Sequence, residues 1–229
     1  MTAVSAIVSA YYAEEYLQGR LDNLLCQTLV PQIVVVCQSD SAEIEIAKTF
    51  QRKHDNTLTI CTTPLIPTVY EAWNLGLYLC SGDYVTNANS DDRLDPDALR
   101  LLAKTLDKYK DYAVAYPNVQ RVDKIGGDPI GSFIWKEGGL AELMSGCFIG
   151  PMPMWRKSLH KQYGEFDGQF ASAGDYEFWL RIASKGEKFR HVNRFLGDHL
   201  EHPGALEHRS PLRTTWETAR ARAKYRGVV

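Results

Sequence analysis

The run Tyr84-Val85-Thr86-Asn87-Ala88-Asn89-Ser90-Asp91-Asp92 decides how the chain is read, because a short β-rich segment ends there in a knot of oxygen-bearing side chains. After it, Asp95-Pro96-Asp97 opens a helix. Proline suits the first helical turn, and acids favour the positive N-terminal end. In an open parallel sheet, ligands settle in the crevice beyond the carboxyl ends of the strands, where strand order reverses. A strand followed by Asn-Ser-Asp-Asp fits that place. Hard divalent cations take oxygen ligands, and magnesium-like ions accept one or two carboxylates and complete the shell with water and phosphate oxygens. Asp91 and Asp92 are therefore candidates to hold a metal-diphosphate. The competing reading is that Ser90 or Asp92 only caps the following helix, since Ser and Asx side chains dominate such turns.

Upstream, Val4–Ala10 is apolar and β-branched, and Leu17, Leu21, Leu24 and Leu25 then fall on one helical face. Residues 32–37 (Gln-Ile-Val-Val-Val-Cys) form a continuous apolar run, as expected of a strand covered on both faces. Gln38-Ser39-Asp40-Ser41 ends it and offers an N-cap for a helix to about Lys53. Residues 57–62 are a third strand candidate. Pro64 and Pro67 break the chain before a helix carrying Val69, Ala72, Leu75 and Leu79. The alternation βαβαβαβ over the first 90 or so residues predicts a doubly wound α/β sheet. Downstream, a helix over 96–108 and a strand over 112–116 follow. Gly126-Gly127-Asp128-Pro129 is a turn, 138–153 is a Gly-, Met- and Pro-rich candidate for a mobile substrate-facing segment, and Tyr176, Trp179, Leu180 and Ala183 mark a helical face stopped by Gly186.

The 229 residues suffice for one sizeable core, and one domain is expected. A net charge of −2 gives no global cationic field, which argues against a nucleic-acid partner and makes any phosphate binding local. Five widely spaced cysteines read as buried free thiols in a reducing compartment. Neither a signal-peptide pattern nor an apolar run of the ~18 residues needed to span a bilayer is seen, so a cytoplasmic location is expected. The basic tail of Arg213, Arg220, Arg222, Lys224 and Arg226, with Trp216 and Tyr225, reads as a solvated helix face; a weak peripheral contact with an anionic inner membrane face is the sharper alternative.

A second constellation lies in Ala173-Gly174-Asp175-Tyr176-Glu177. A carboxylate at a helix N-terminus is held ionised by the macrodipole and by unpaired backbone N–H groups, as a general base requires. Capping alone explains an Asp there equally well.

With both constellations in this order, the chain resembles the inverting glycosyltransferases of family 2, over most of its length to about residue 206. Residues 4–8 and Tyr11-Tyr12-Ala13-Glu14-Glu15-Tyr16-Leu17 look like that family's opening strand and Tyr-Asn-x-Glu turn, and Leu25-Cys26-Gln27-Thr28 like its Leu-x-Gln-Thr helix end. Asn74-Leu75-Gly76 and Ser81-Gly82-Asp83-Tyr84 resemble its Asn-x-Gly and Gly-Glu-Tyr landmarks. Asn89-Ser90-Asp91-Asp92 stands where it has Asp-x-Asp-Asp, and residues 174–181 match its Glu-Asp-x-x-Leu-Trp-Leu-Arg block.

The resemblance implies an α/β fold of the GT-A type: a Rossmann-like, doubly wound, mostly parallel sheet with helices on both faces and a small irregular acceptor-side subregion. Within a single domain, 1–108 would be the nucleotide-sugar half, 109–206 the acceptor and catalytic half, and 207–229 a helical tail. It implies a metal-dependent transfer from a nucleotide-diphosphate sugar, UDP-linked by preference, to a carbohydrate or lipid-linked acceptor. Tyr11 would stack on the nucleobase with Glu14 in support. Ser9, Gln38, Asn74, Asn89, Asp91 and Asp92 complete the expected donor side. Asp91 and His202 would hold Mn2+ or Mg2+, and Asp175 would deprotonate the acceptor hydroxyl. For His202 a backbone-bonded loop histidine is an equal reading, and the His199/His202 spacing lacks a third zinc ligand. Three departures bear on the donor: Cys37-Gln38 replaces a usual Asp-Asp, although a Gln amide both accepts and donates toward a base edge; Asn89 replaces the first acid; and Trp73 replaces a basic residue. These keep a non-catalytic nucleotide-sugar-binding module open. A nucleotidylyltransferase is disfavoured, because no glycine-rich basic loop follows the first strand.

Overall fold

The structure is a computed structural model and describes residues 3–54, 57–202, 204 and 210–227. Its first half is the expected alternation: β1 (Val4–Ala10), α1 (Glu14–Leu25), β2 (Gln32–Gln38), α2 (Ala42–Lys53), β3 (Leu58–Thr63), α3 (Val69–Leu79) and β4 (Tyr84–Asn87). There follow β5 (Arg93–Leu94), α4 (Ala98–Lys108), β6 (Tyr112–Val122), β7 (Gly131–Phe133), α5 (Leu140–Ser145), β8 (Met154–Arg156), α6 (Ser158–Tyr163), α7 (Gly174–Ala183), β9 (Lys188–Leu200) and α8 (Pro211–Ala223).

The main sheet runs β3-β2-β1-β4-β8-β6-β9-β5, with β7 on β6. Strands β3, β2, β1 and β4 are mutually parallel, β8 is antiparallel to both its neighbours, and β9 is parallel to β6. The chain leaves β1 toward β2 and β3, then returns to place β4 on the other side of β1. That reversal opens a crevice between the loops that follow β1 and β4, where α/β sheets bind ligands.

Both faces of the sheet are covered, which explains the continuous apolar strands. Ala6, Val8, Val35 and Cys37 point into one cluster with Leu17, Leu21 and Leu24 of α1, Phe50 of α2 and Leu99, Leu102 and Leu106 of α4. Ile7, Val34, Val36 and Val85 point the other way, into a cluster with α3, α5 and α7. Helix α3 lies so close to β1 that a Cβ on Gly76 would sit 2.6 Å from Ile7 Cγ2. That approach offsets the roughly 1 kcal/mol a helical glycine costs relative to alanine.

Several expectations are corrected. Segment 138–153 carries α5 and divides between packing, with Leu143, Phe148, Ile149 and Met152 buried, and the cavity wall, to which Cys147, Gly150 and Pro151 contribute. All five cysteines are free, but Cys26 and Cys147 are exposed. The basic tail is a solvated face only in part: Arg213, Trp216 and Arg226 are exposed. Arg222 donates to the Tyr176 hydroxyl and to the Ser145 carbonyl, Arg220 to Gln169, and Lys224 to Asp167 and Glu177, so α8 is clamped onto the segment around α7. Among the described residues, no helix is long and apolar enough to cross a membrane.

Candidate active site

A cavity of about 760 Å³ opens at the switch point between β1 and β4. Its volume lies within the range usual for small-ligand sites. Three groups of side chains shape it.

The first is the acidic turn after β4. Asp92 is almost fully buried: one carboxylate oxygen meets His199 Nδ1 at 2.9 Å and accepts from the Leu200 N–H at 3.3 Å, and the other accepts from Asn89 Nδ2 at 3.2 Å. Arg20 Nη1 and Arg93 Nη1 both donate to the Asp92 carbonyl, and Arg93 also reaches the carbonyls of Ser90 and Tyr16. Burial pulls Arg20 down to about 10, which leaves it charged at neutral pH, with Asp92 opposing the fall. Two guanidiniums therefore lash the turn to α1. Asp92 is spent on this framework and does not line the cavity, which corrects its expected donor contact. Asp91 and Asn89 do line it, and Asp91 Oδ2 meets His202 Nε2, another lining residue, at 3.1 Å. Adjacent aspartates thus have different roles, each with its own histidine.

The second is the loop after β1. Ser9, Tyr11, Tyr12 and Tyr16 line the cavity. Tyr12 has φ 52, a backbone state rare for a bulky residue, and its ring lies 4.4 Å from that of Tyr11. The support expected from Glu14 comes from elsewhere: Glu14 is exposed on the first turn of α1 and outside the lining, whereas buried Glu43 of α2 accepts the Ala13 N–H at 2.7 Å. Gln38 is also outside the lining and donates to the Pro64 carbonyl at 3.3 Å. Asn74 is outside the lining and is a brace, its amide bonded both ways to the Phe166 backbone at 2.8 and 3.0 Å. Trp73 lines the cavity beside it; its indole N–H has no hydrogen-bond partner among the described residues.

The third is the N-terminus of α7. Asp175 lines the cavity and accepts the Tyr70 hydroxyl at 2.9 Å. A Cβ at Gly174 would lie 2.7 Å from the Tyr70 ring, so glycine is required for that ring to reach the carboxylate. Burial raises the Asp175 carboxyl above its ordinary value. The Tyr70 hydroxyl and the N–H groups of Tyr176 and Asp175 oppose this without cancelling it. The helix terminus therefore does not leave the carboxylate easily ionised; the net effect is a stronger base. Tyr70→Phe deletes a donor that favours the charged form. It is expected to move the acidic limb of the turnover profile to higher pH and to lower turnover severalfold at its optimum. A pH–rate profile that superimposes on the parent would show the hydroxyl to be irrelevant.

The donor set offered to an ion is one carboxylate and one imidazole, Asp91 and His202. Among the described residues no three or more His, Cys, Asp or Glu groups converge. That set fits a magnesium- or manganese-like ion completing its shell with diphosphate oxygens and water, and does not fit a closed zinc cage.

The solved structures most relevant here share the fold. Staphylococcus aureus TarS 1–349 in complex with UDP-GlcNAc superimposes with a TM-score of 0.78 at 20% identity, covering 97% of this chain and 66% of that one. Mannosyltransferase PcManGT from Pyrobaculum calidifontis, in complex with GDP-Man and Mn2+, gives 0.75 at 17%, covering 97% and 64%. The sheet with its helices is accordingly of the GT-A type. In sequence, the chondroitin synthase of Pasteurella multocida is 26% identical over 200 residues, 87% of this chain, and that of Escherichia coli 23% over 201 residues, also 87%. The chain spans only 20% and 29% of those two proteins' lengths. The sequence model of the family described as Glycosyl transferase family 2 matches residues 5–164, a stretch that holds the acidic turn and stops short of Asp175. With that match covering well over half of its length, the chain belongs to glycosyl transferase family 2.

Proposed function

We propose that the chain transfers a sugar from a UDP-linked donor to a hydroxyl of a carbohydrate or lipid-linked acceptor, with inversion at the anomeric carbon. The observation that carries this reading is that one cavity at the switch point is lined by both Asp91–His202 and Asp175–Tyr70. Nucleotide-sugar complexes of the structural neighbours and the polysaccharide synthases among the relatives support it.

Tyr11 stacks on the base, and Ser9 and Asn89 contact the nucleotide. Asp91 and His202 would hold a divalent cation, Mn2+ or Mg2+, which when bound would supply positive charge to offset the negative charge developing on the diphosphate. Asp175 takes the proton of the acceptor hydroxyl as that oxygen attacks the anomeric carbon and the bond to diphosphate breaks. Its raised basicity suits a hydroxyl proton, and the Tyr70 hydroxyl, itself pushed well up by burial and by Asp175, stays protonated and fixes the carboxylate's orientation.

Titration calorimetry with UDP, with and without manganese, followed by assay of UDP release from UDP-sugars, tests the reading. The expected result is UDP binding at least tenfold tighter with manganese, together with turnover of at least one donor. Tight binding without turnover across donors and acceptors would favour a binding module instead, and absence of UDP binding would sink the donor assignment.

A further inference from the structure

We propose that Glu217, on α8, is the positioning residue that fixes the catalytic base, an inference that rests on the proposed role of Asp175. Glu217 is completely buried. One of its carboxylate oxygens, Oε2, accepts the backbone N–H groups of Ala171, Ser172 and Ala173 at 3.0, 2.8 and 3.1 Å, and the Ser172 hydroxyl at 3.2 Å. Oε1 accepts from Ala171 N–H at 3.0 Å and from Arg213 Nε at 2.8 Å.

Three successive amides converging on one anion form a nest of the kind proteins use to bind carboxylate or phosphate. Here the anion is supplied from a helix more than forty residues further along the chain. Burial pushes Glu217 up, but the Ser172 amide, Arg213 and the amides of Ala171 and Ala173 together bring it below its ordinary value, so it stays ionised.

The nest is the last stretch before the reacting group. The Ala173 carbonyl accepts the Glu177 N–H at 3.0 Å as the first turn of α7 closes, and Asp175 stands on that turn. Ala171, Ser172 and Arg213 also line the cavity beside Asp175. Among the described residues, all the hydrogen bonds of these three amides go to Glu217. Without the carboxylate, three donors seek partners elsewhere and the turn carrying Asp175 shifts with them. A displacement of about 1 Å at a reacting group can cost on the order of 10²-fold in rate.

Glu217→Gln keeps the shape but turns an amide NH2 toward backbone donors. The test combines hydrogen exchange with hydrolysis of UDP-GlcNAc in manganese, using the full chain. The expected result is exchange at least tenfold faster at residues 171–173 with the amides of β1 and β2 unchanged. Turnover falls ten- to hundredfold while KM and UDP affinity stay within twofold. Glu217→Asp, which retains the charge and provides a second variant where the amide fails to fold, recovers part of that loss. Unchanged exchange or unchanged turnover overturns the proposal, as does UDP affinity falling in step with turnover, which marks general damage. Parent protein that turns over no nucleotide sugar removes the base, and this proposal with it; parent turnover with a silent Glu217→Gln removes this proposal alone.

Discussion

Asp175→Asn is expected to lower turnover by roughly 10²–10⁴-fold, the usual loss when a positioned general base is removed. Donor KM should stay near that of the parent, because the cation pair and the Tyr11 loop are untouched. Asparagine has the same shape and still accepts the Tyr70 hydroxyl, so the loss isolates proton removal from architecture. The same substitution is expected to raise the thermal midpoint at neutral pH. The folded-state carboxyl is shifted upward, chiefly by burial, and a group so shifted favours the fold below its unfolded-state value and loses that contribution as pH rises through the folded-state value. At neutral pH the ionised Asp175 therefore opposes folding, and asparagine relieves it. The midpoints of parent and variant should converge as pH falls into the ordinary carboxylate range. Steady-state kinetics and calorimetry across pH check both halves; parent-like turnover would remove Asp175 from the chemistry, and a lowered midpoint would contradict its place among groups whose ionisation burial opposes.

The first half of the fold is legible because each segment signals through its own periodicity. Residues 4–10 and 32–38 are strands buried on both faces, and α1 buries the expected Leu17, Leu21 and Leu24, whereas α3 buries Tyr70, Ala72, Trp73 and Leu77 and leaves Leu79 exposed. Strand β9 gives no such signal. It is thirteen residues long, but its pairing with β6 slips near Pro117/Asn118 and Asn118/Gln120, which breaks the period of two, and its polar positions include His199, bonded to the acidic turn. The site divides along the same line. Asp91, Asn89, His202, Ser9, Tyr11 and Asp175 are found from the order of short motifs, and all six line one cavity. The groups that hold them are scattered through the chain: Arg20 and Arg93 on the acidic turn, Glu43 under Ala13, Glu217 under the approach to α7. Each is a charged residue on a helix or short strand whose bland local reading is surface. Only tertiary folding turns it inward, so nothing local distinguishes it. Asp92 shows the converse: motif position says ligand, while burial and two polar partners from distant β9, the His199 ring and the Leu200 amide, say framework.

Asp91→Asn is expected to reduce kcat/KM by roughly 10²–10³-fold, the scale of losing one electrostatic stabiliser of developing charge. The argument depends on where the loss falls. The turn is anchored through Asp92 and the two guanidiniums, not through Asp91, so the variant should fold with a midpoint close to that of the parent. Asparagine keeps an oxygen for His202 but removes the negative charge that pairs with a cation. Binding of UDP without manganese should therefore be unchanged or slightly tighter, since a carboxylate no longer faces the diphosphate, while the gain in affinity from added manganese shrinks. By linkage, the factor by which UDP tightens manganese binding shrinks as much as the factor by which manganese tightens UDP binding. Titrating each ligand with and without the other, with turnover followed against manganese, in parent and variant measures both sides of that equality. A variant whose turnover drops while its manganese dependence matches the parent would place the charge of Asp91 on the sugar or the diphosphate directly, and would leave its contact with His202 as a hydrogen bond at the rim of the cavity.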